Sequence, residues 1–170
     1  MKEDKTNKYL GCLLVSSVLE SVADTVDSRI GLARRAVYEV RNIIEDCRAN
    51  TLGAIQVGLD LWKGSVLSSL LAGCEVWTDI APKTMKKLEH TNSLFLSNLF
   101  GVSKRGCPEA SLYIESSSLL IPNQILMSQL LFLHHIATLP HTSLARETYE
   151  EMKKHKYPGL LKNLEKYMNE

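Results

Sequence analysis

A repeat of apolar residues at steps of three and four, between positions 22 and 47, constrains the fold of this chain more than any other feature. The repeat consists of Val22, Val26, Ile30, Ala33, Val37, Val40, Ile44 and Cys47. These steps place side chains on one face of a helix, because an α-helix completes a turn about every 3.6 residues. Asp24 and Asp27 fall in its first turns and Arg48 in its last, where their charges complement the helix dipole. The pattern predicts a long helix with one buried face.

Similar spacings predict helices over most of the remaining chain. The further helical segments are expected at about residues 52–73, 82–101, 108–113, 125–139, 143–154 and 160–167. Pro82, Pro108 and Pro122 are placed to open helices, since the proline ring fixes a helical φ and lacks an N–H that has no partner in the first turn. Gly101 is expected to end the third helix. The chain is therefore predicted to be mostly α, as a helical bundle.

The residues before the first helix favour a strand. The short apolar run from Tyr9 to Val15 is bounded by Lys8 and by the pair Ser16-Ser17. A run of this length with these borders is typical of a strand, and an isolated strand needs a partner for its backbone N–H and C=O groups. We expect a short N-terminal β-strand or hairpin beside the helical bundle.

Composition indicates one core in a reducing compartment. A chain of 170 residues with 45% hydrophobic content is enough for one core, and a net charge of +1 excludes a polybasic protein. The four cysteines are widely spaced and form no C-x-x-C pair. The most apolar segment, residues 125–139, is interrupted by Gln129, His134 and His135 and is too short to span a bilayer. We expect no membrane role and an intracellular location, nuclear or cytoplasmic.

The sequence contains no complete catalytic constellation. No glycine cluster follows a predicted strand into a helix, and no Gly-x-Ser-x-Gly elbow surrounds a serine. His134 and His135 come closest to a metal site, but adjacent helical residues point about 100° apart, whereas zinc ligands converge. Neighbouring carboxylates such as Asp24 and Asp27 are explained by the helix terminus. We expect no catalytic residue, no metal site and no small-molecule substrate.

Arginines give the first predicted helix a local positive charge. Arg34, Arg41 and Arg48 are spaced by seven, so they lie near one line beside the apolar face, and Arg29 and Arg35 add to the charge. Such a row can follow a nucleic-acid backbone, because each guanidinium offers forked donors to phosphate oxygens. It can equally be a solvated flank whose aliphatic stems cover apolar surface. The spacing alone leaves both interpretations open.

Five short motifs in the first half of the chain occur in an order found in one protein family. Lys8-Tyr9-Leu10-Gly11 precedes an apolar run, and Arg29-Ile30 and Ala33-Arg34-Arg35-Ala36 follow on the long helix. The next two motifs are Leu61-Trp62-Lys63-Gly64-Ser65-Val66-Leu67 and Leu70-Leu71-Ala72-Gly73-Cys74-Glu75-Val76-Trp77. The series resembles the region just after the catalytic palm in reverse transcriptases of non-LTR (LINE-type) retrotransposons. Its most specific part is the final apolar-Gly-x-Glu-x-Trp signature.

The second half of the chain continues the resemblance. Lys87-Leu88-Glu89 leads to Leu99-Phe100-Gly101-Val102, which is similar to the family's helix that ends at an apolar-Gly turn. Residues 110–115, 130–136, 144–146 and 149–153 look like the tail that follows the family's thumb. The agreement runs in order from about residue 8 to residue 161 and covers nearly the whole chain.

The resemblance implies a division of the chain and a partner. Residues 1–20 would be a primer-grip-like strand segment, 21–103 a helical thumb-like domain, and 104–170 a helical tail packed on it. The implied partner is the backbone of an RNA/DNA primer–template duplex, with the family's palm and fingers as neighbouring parts. The implied nucleic-acid-binding residues are Lys8, Tyr9, Leu10 and Gly11 as the primer-grip remnant, with Arg29, Arg34, Arg35 and Arg41 as backbone contacts.

The family's catalytic aspartates have no counterpart in this sequence. In the family they include an aromatic-x-Asp-Asp turn and hold the metal ions of the polymerase reaction. Mg²⁺ would therefore belong to the missing palm, and we expect no cofactor in this chain. The leading hypothesis is a fragment of an RNA-directed DNA polymerase that is inactive alone.

Two other hypotheses remain open. The chain can be a helical protein-interaction module without a nucleic-acid role, which docks a partner through the N-terminal strand edge or the Leu130 to Ile136 face. It can also be a metal-dependent enzyme built around His134 and His135. Salt-dependent duplex binding distinguishes the first hypothesis from the interaction module, and stoichiometric zinc would identify the enzyme.

Overall fold

The chain folds mostly into α-helices, as the apolar spacing predicts. The computed structural model describes residues 7–9, 12–14, 18–46, 51–102 and 107–155. The α-helices are α1 (Val18–Asp46), α2 (Thr51–Leu61), α3 (Ser68–Leu71), α4 (Pro82–Leu99), α5 (Glu109–Glu115), α6 (Ile121–Thr138) and α7 (Leu144–Lys154). No helix within the described ranges combines the length and the apolar character that crossing a lipid bilayer requires.

Helix α1 buries the face that its sequence predicts. Of the predicted positions, the buried ones are Val22, Val26, Ile30, Ala33 and Val40, and the half-buried ones are Val37 and Ile44. Cys47 lies outside the described residues. The buried face of α1 belongs to a single hydrophobic cluster that also includes side chains of α3, α4, α5 and α6, and Leu59 and Leu61 of α2 pack against this cluster. Helix α1 is thus the central element of the core.

The second predicted helix is one continuous helical segment with an irregular middle. Helix α2 passes into a π-helical turn, Trp62–Leu67, and then into α3. Trp62, Val66 and Leu70 are buried in the core. Gly73 follows with φ of 81°, a left-handed conformation that suits glycine, and a 3₁₀ turn at Cys74–Val76 carries the chain towards α4. The glycine of the apolar-Gly-x-Glu-x-Trp signature therefore stands where the helical segment ends.

Both ends of α4 agree with the sequence. Pro82 occupies the first turn of the helix. At the other end Gly101 has φ of 66°, its N–H donates to Asn98 O at 3.2 Å, and the N–H of Val102 donates to Ser97 O at 2.9 Å. These two bonds form a Schellman motif, which satisfies carbonyl groups that the last helical turn leaves without partners. The prediction that Gly101 ends the third helix is confirmed.

Replacing Gly101 by alanine is expected to destabilise the fold by about 1 kcal/mol, because an L-residue is strained at positive φ. The free energy of unfolding, measured by urea denaturation, gives the effect. Gly64→Ala is the matched control, since a Cβ atom there meets no atom within 4 Å and the residue lies inside a helical segment. Equal losses in the two variants would contradict the role of the left-handed cap.

A two-stranded antiparallel hairpin occupies the N-terminal region. Strand β1 (Asn7–Tyr9) pairs with β2 (Cys12–Leu14), with Lys8 opposite Leu13 and Tyr9 opposite Cys12. The backbone of β2 lies beside α1. The predicted Tyr9 to Val15 segment does not form one strand, because Tyr9 belongs to β1 and Cys12–Leu14 to β2. The hairpin form of the expectation is therefore the one found.

The C-terminal helices pack on the core formed by the earlier ones. Helix α6 contacts α4 and the 3₁₀ turn, while α7 contacts α6 and has no buried residue. Leu112 of α5 and Ile121 and Ile125 of α6 are buried in the same cluster as the α1 side chains. The predicted boundary between residues 103 and 104 remains a prediction. The predicted helix at residues 160–167 lies outside the described residues.

Candidate nucleic-acid interface

The arginines of α1 differ in exposure. Arg34, Arg35 and Arg41 are exposed, whereas Arg29 is half-buried. Within the described part of the chain, Arg34 and Arg35 have no ion-pair partner. Arg48 lies outside the described residues. The outward surface of α1 therefore presents three guanidinium groups to solvent in its second half.

A groove of about 880 Å³ separates the second half of α1 from α4. Arg34 and Arg41 both line it, two helical turns apart on the α1 wall. The α4 wall includes His90, Thr91 and Asn98. The sequence-predicted line through Arg34 and Arg41 is therefore one rim of a concave surface.

The floor of the groove is apolar. It is formed by Val37 and Ile44 of α1 and by Leu94, Phe95 and Leu99 of α4. Phe95 is 6% exposed, whereas Leu94 is 43% exposed. Such a lining, with a few polar groups at its edges, is typical of ligand pockets.

Gly58 of α2 lets the helices approach closely beneath this floor. A Cβ atom at Gly58 would overlap Leu99 Cδ1 and would lie 2.9 Å from Ile44 Cδ1. Both of these side chains line the groove. A larger residue at Gly58 would therefore have to move Leu99 and Ile44, and the absence of a side chain there helps to set the depth of the groove.

Two ion pairs modify the charge of α1. Near its beginning, Asp27 accepts hydrogen bonds from Lys87 Nζ at 2.8 Å and 2.9 Å, which joins α1 to α4. Near its end, Arg41 Nε donates to Glu45 Oε1 at 3.0 Å. Both pairs are exposed, and such pairs contribute little to stability, about 0–1 kcal/mol. A phosphate can therefore compete with Glu45 for Arg41, whose guanidinium carries two further nitrogens.

A buried polar chain positions α4 against the rest of the core. Trp62 Nε1 donates to Asn92 Oδ1 at 2.9 Å, and Asn92 Nδ2 donates to the Tyr113 hydroxyl at 3.4 Å. Asn92 is fully buried, with 0% exposure. Burial raises the pKa of Tyr113, although its hydrogen bond with Asn92 acts in the opposite direction. Because Asn92 faces the core, its neighbours His90, Thr91 and Leu94 face the groove.

Helix α6 carries polar residues with different surroundings. Gln129 is buried, and its Nε2 donates to Trp77 O at 2.6 Å and to Cys74 O at 3.3 Å. His134 and His135 are exposed. In the parts of the chain that the structure describes, no three His, Cys, Asp or Glu side chains are grouped so as to hold a metal ion. Burial raises the pKa of the Cys74 thiol, which favours its protonated, unreactive form.

The predicted primer-grip residues are only partly described. Lys8 and Tyr9 lie in β1, and Leu10 and Gly11 lie outside the described residues, between the two strands. The structure brings Arg34 and Arg41 together on the groove, with Arg35 next to them on α1. The primer-grip and arginine sets remain predictions as binding residues.

Tyr38 is a groove residue that was not predicted from the sequence as a binding residue. It lines the groove, and 69% of the residue is exposed. Its position four residues after Arg34 and three before Arg41 places it on the same helical face. That spacing was the available signal, since it interleaves an aromatic ring between two cations.

Comparison of the chain with models of known protein families, with curated proteins and with solved structures finds no match to any of them.

Proposed function

We propose that this chain is the thumb and post-thumb part of a LINE-type reverse transcriptase, and that α1 contacts the backbone of a primer–template duplex. The observation that carries the proposal is the placement of Arg34 and Arg41. Both are exposed, they stand two turns apart on one helical face, and they line one groove. Exposed guanidinium groups in a row are suited to successive phosphates.

The rest of the proposal follows from the family resemblance. The polymerase reaction would take place on the palm aspartates and their Mg²⁺ ions, which this sequence does not contain. The helices described above would hold the duplex without reading its bases, since backbone contacts carry no sequence information. This role predicts a nuclear or cytoplasmic location, where the nucleic acid of a retrotransposon is found.

Binding to a blunt RNA–DNA hybrid duplex tests the proposal. We expect affinity to fall as salt rises, because each neutralised phosphate releases counterions. The variant Arg34→Gln/Arg41→Gln is expected to bind roughly tenfold more weakly at physiological salt, and its log–log salt slope is expected to be shallower by about 2. Fluorescence anisotropy over a salt series measures both quantities.

The matched control is Lys63→Gln/Lys153→Gln. It removes the same charge from two exposed residues that do not line the groove. If binding depends on this surface, the control keeps the wild-type slope and affinity to within about twofold, since surface charges far from a contact are screened by salt. Equal losses in both variants would indicate attraction by total charge, and absence of duplex binding would contradict the proposal.

A second candidate function is protein interaction without a nucleic-acid role. It is favoured by the exposed apolar residues on the outer face of α6, where Met127 is 49%, Leu130 42% and Leu131 61% exposed. Their spacing of three and four places them on one stripe, and such a stripe is the feature that helix-binding partners recognise. The duplex experiment separates the candidates, because an interaction module would show no salt-dependent binding of nucleic acid.

A further inference from the structure

We propose that the groove between α1 and α4 binds an unpaired nucleic-acid strand, with Tyr38 stacked on a base and Arg34 and Arg41 on the flanking phosphates. This inference rests on the proposed function, because it uses the same two arginines. It adds the class of ligand that the groove takes. A duplex contacted only through its phosphates would leave the aromatic ring and the apolar floor without a role.

The three side chains lie on one narrow strip of α1. Positions 34, 38 and 41 fall within about 60° of one another around the helix axis, and they span about 10 Å along it. All three line the groove, with Tyr38 between the two arginines. An aromatic ring between two cations along a groove is the arrangement that single-strand binding proteins use, because the ring receives a base while the cations follow the backbone.

The exposure of Tyr38 supports a stacking role. Its exposed fraction of 69% compares with 5% for Tyr113, which is buried in the core. The Tyr38 ring therefore contributes little to the core, and its face is accessible to a planar partner. Stacking on an aromatic residue contributes about 1–3 kcal/mol per base, and it needs a base that is not already stacked inside a duplex.

The floor and the far wall of the groove fit a nucleotide as well. A base that leaves the strand would meet the apolar side chains of Leu94 and Leu99, and the polar groups of Thr91 and Asn98 stand on the α4 wall. The volume of about 880 Å³ lies within the range of small-molecule pockets. Among the described residues that line the groove, Glu45 is the one carboxylate, and its exposed pair with Arg41 is weak enough for a phosphate to displace.

The experiment compares three labelled probes by fluorescence anisotropy: single-stranded oligothymidine, a blunt RNA–DNA hybrid, and the same hybrid with a single-stranded overhang. The wild-type chain is expected to prefer the overhang to the blunt hybrid. Tyr38→Ala is expected to weaken binding of the single strand and the overhang by roughly tenfold and to leave blunt-hybrid binding within about twofold. Tyr38→Phe keeps the ring and is expected to retain wild-type affinity.

The outcomes distinguish a failure of the Tyr38 stacking role from a failure of backbone binding by Arg34 and Arg41. Overhang binding that Tyr38→Ala does not weaken, or equal wild-type affinity for blunt and overhang probes, overturns the stacking role. The salt-dependent loss in Arg34→Gln/Arg41→Gln can persist in that case, so backbone binding would stand. Loss in Tyr38→Phe equal to that in Tyr38→Ala also overturns the inference, because it would trace the effect to the hydroxyl. Far-ultraviolet circular dichroism checks that the exposed substitution leaves the helices folded.

Discussion

Replacing Asn92 by leucine is expected to lower the free energy of unfolding by about 3 kcal/mol, although the side chains are similar in size. Asn92 is fully buried and accepts a hydrogen bond from Trp62 Nε1 at 2.9 Å. Leucine would leave that N–H buried without an acceptor and would remove the donor to Tyr113. Urea denaturation measures the loss, and the melting temperature should fall by about 6–12 °C.

Asn98→Leu is the matched control for this expectation. It makes the same change on the same helix at an exposed position on the groove, and surface changes of this kind usually stay within about 0.5 kcal/mol. A second test combines Asn92→Leu with Trp62→Phe, which removes both partners of the hydrogen bond. The combined cost should be clearly less than the sum of the two single costs, because only the single variants leave one partner of the Trp62–Asn92 hydrogen bond buried without the other. Additive costs would contradict the role assigned to this bond.

The core was predictable where it depends on local periodicity. The steps of three and four in α1 predicted its buried face, and Val26 and Ala33 are completely buried. The two tryptophans carry large apolar side chains, and Trp62 is 0% and Trp77 2% exposed. These outcomes follow from the helix repeat and from residue size, which are both visible in one stretch of sequence.

The polar contacts of the core were not predictable in the same way. Asn92 has an ordinary polar identity, and its burial depends on Trp62, thirty residues earlier in the chain. The π-helical turn at Trp62–Leu67 likewise left no signal in the apolar spacing, since Trp62, Val66 and Leu70 follow a regular helical pattern. Contacts between distant segments decide such features, and a local pattern does not contain them.

In the candidate site too, the features that depend on one helix were predictable and the contacts between helices were not. The sequence predicted that Arg34 and Arg41 lie on one line, because that depends on α1 alone. It did not predict that α4 stands opposite them, since the two helices pack through apolar residues that are far apart in the sequence. Leu94 of α4 is 43% exposed because it lies about 100° from buried Phe95 around the helix axis and lines the groove.

The apolar-Gly-x-Glu-x-Trp signature acquires a physical explanation from the structure. Gly73 adopts a positive φ that ends the helical segment, and Trp77 is buried four residues later. Gln129 of α6 donates through Nε2 to Cys74 O, in the 3₁₀ turn, and to Trp77 O, directly after it. The signature thus forms the corner on which the C-terminal helices pack. Its sequence pattern predicted a helix end but not the partner that covers it.

Replacing Gln129 by leucine is expected to destabilise the chain by about 2–3 kcal/mol. Gln129 is 5% exposed, and its Nε2 donates to Trp77 O at 2.6 Å and to Cys74 O at 3.3 Å. Leucine would fill similar space but would leave the Trp77 carbonyl buried without this donor. These bonds hold α6 against the segment from Gly73 to Trp77. In the Gln129→Leu variant, amide exchange relative to the wild type should therefore be accelerated more in α6 than in α1.

Gln56→Leu is the matched control, since its hydrogen bond to Asp60 is exposed to water, at 3.2 Å. It should change stability by less than about 0.5 kcal/mol, because solvent replaces an exposed bond at little cost. Hydrogen exchange monitored by mass spectrometry shows both how much amide exchange increases in each variant and in which helices it increases. Equal stability in both variants, or faster exchange spread evenly over all helices in Gln129→Leu, would mean that the buried amide does not fasten α6 to the Gly73 corner. The localised outcome would show that Gln129, together with the buried apolar residues of α6, attaches this helix to the core.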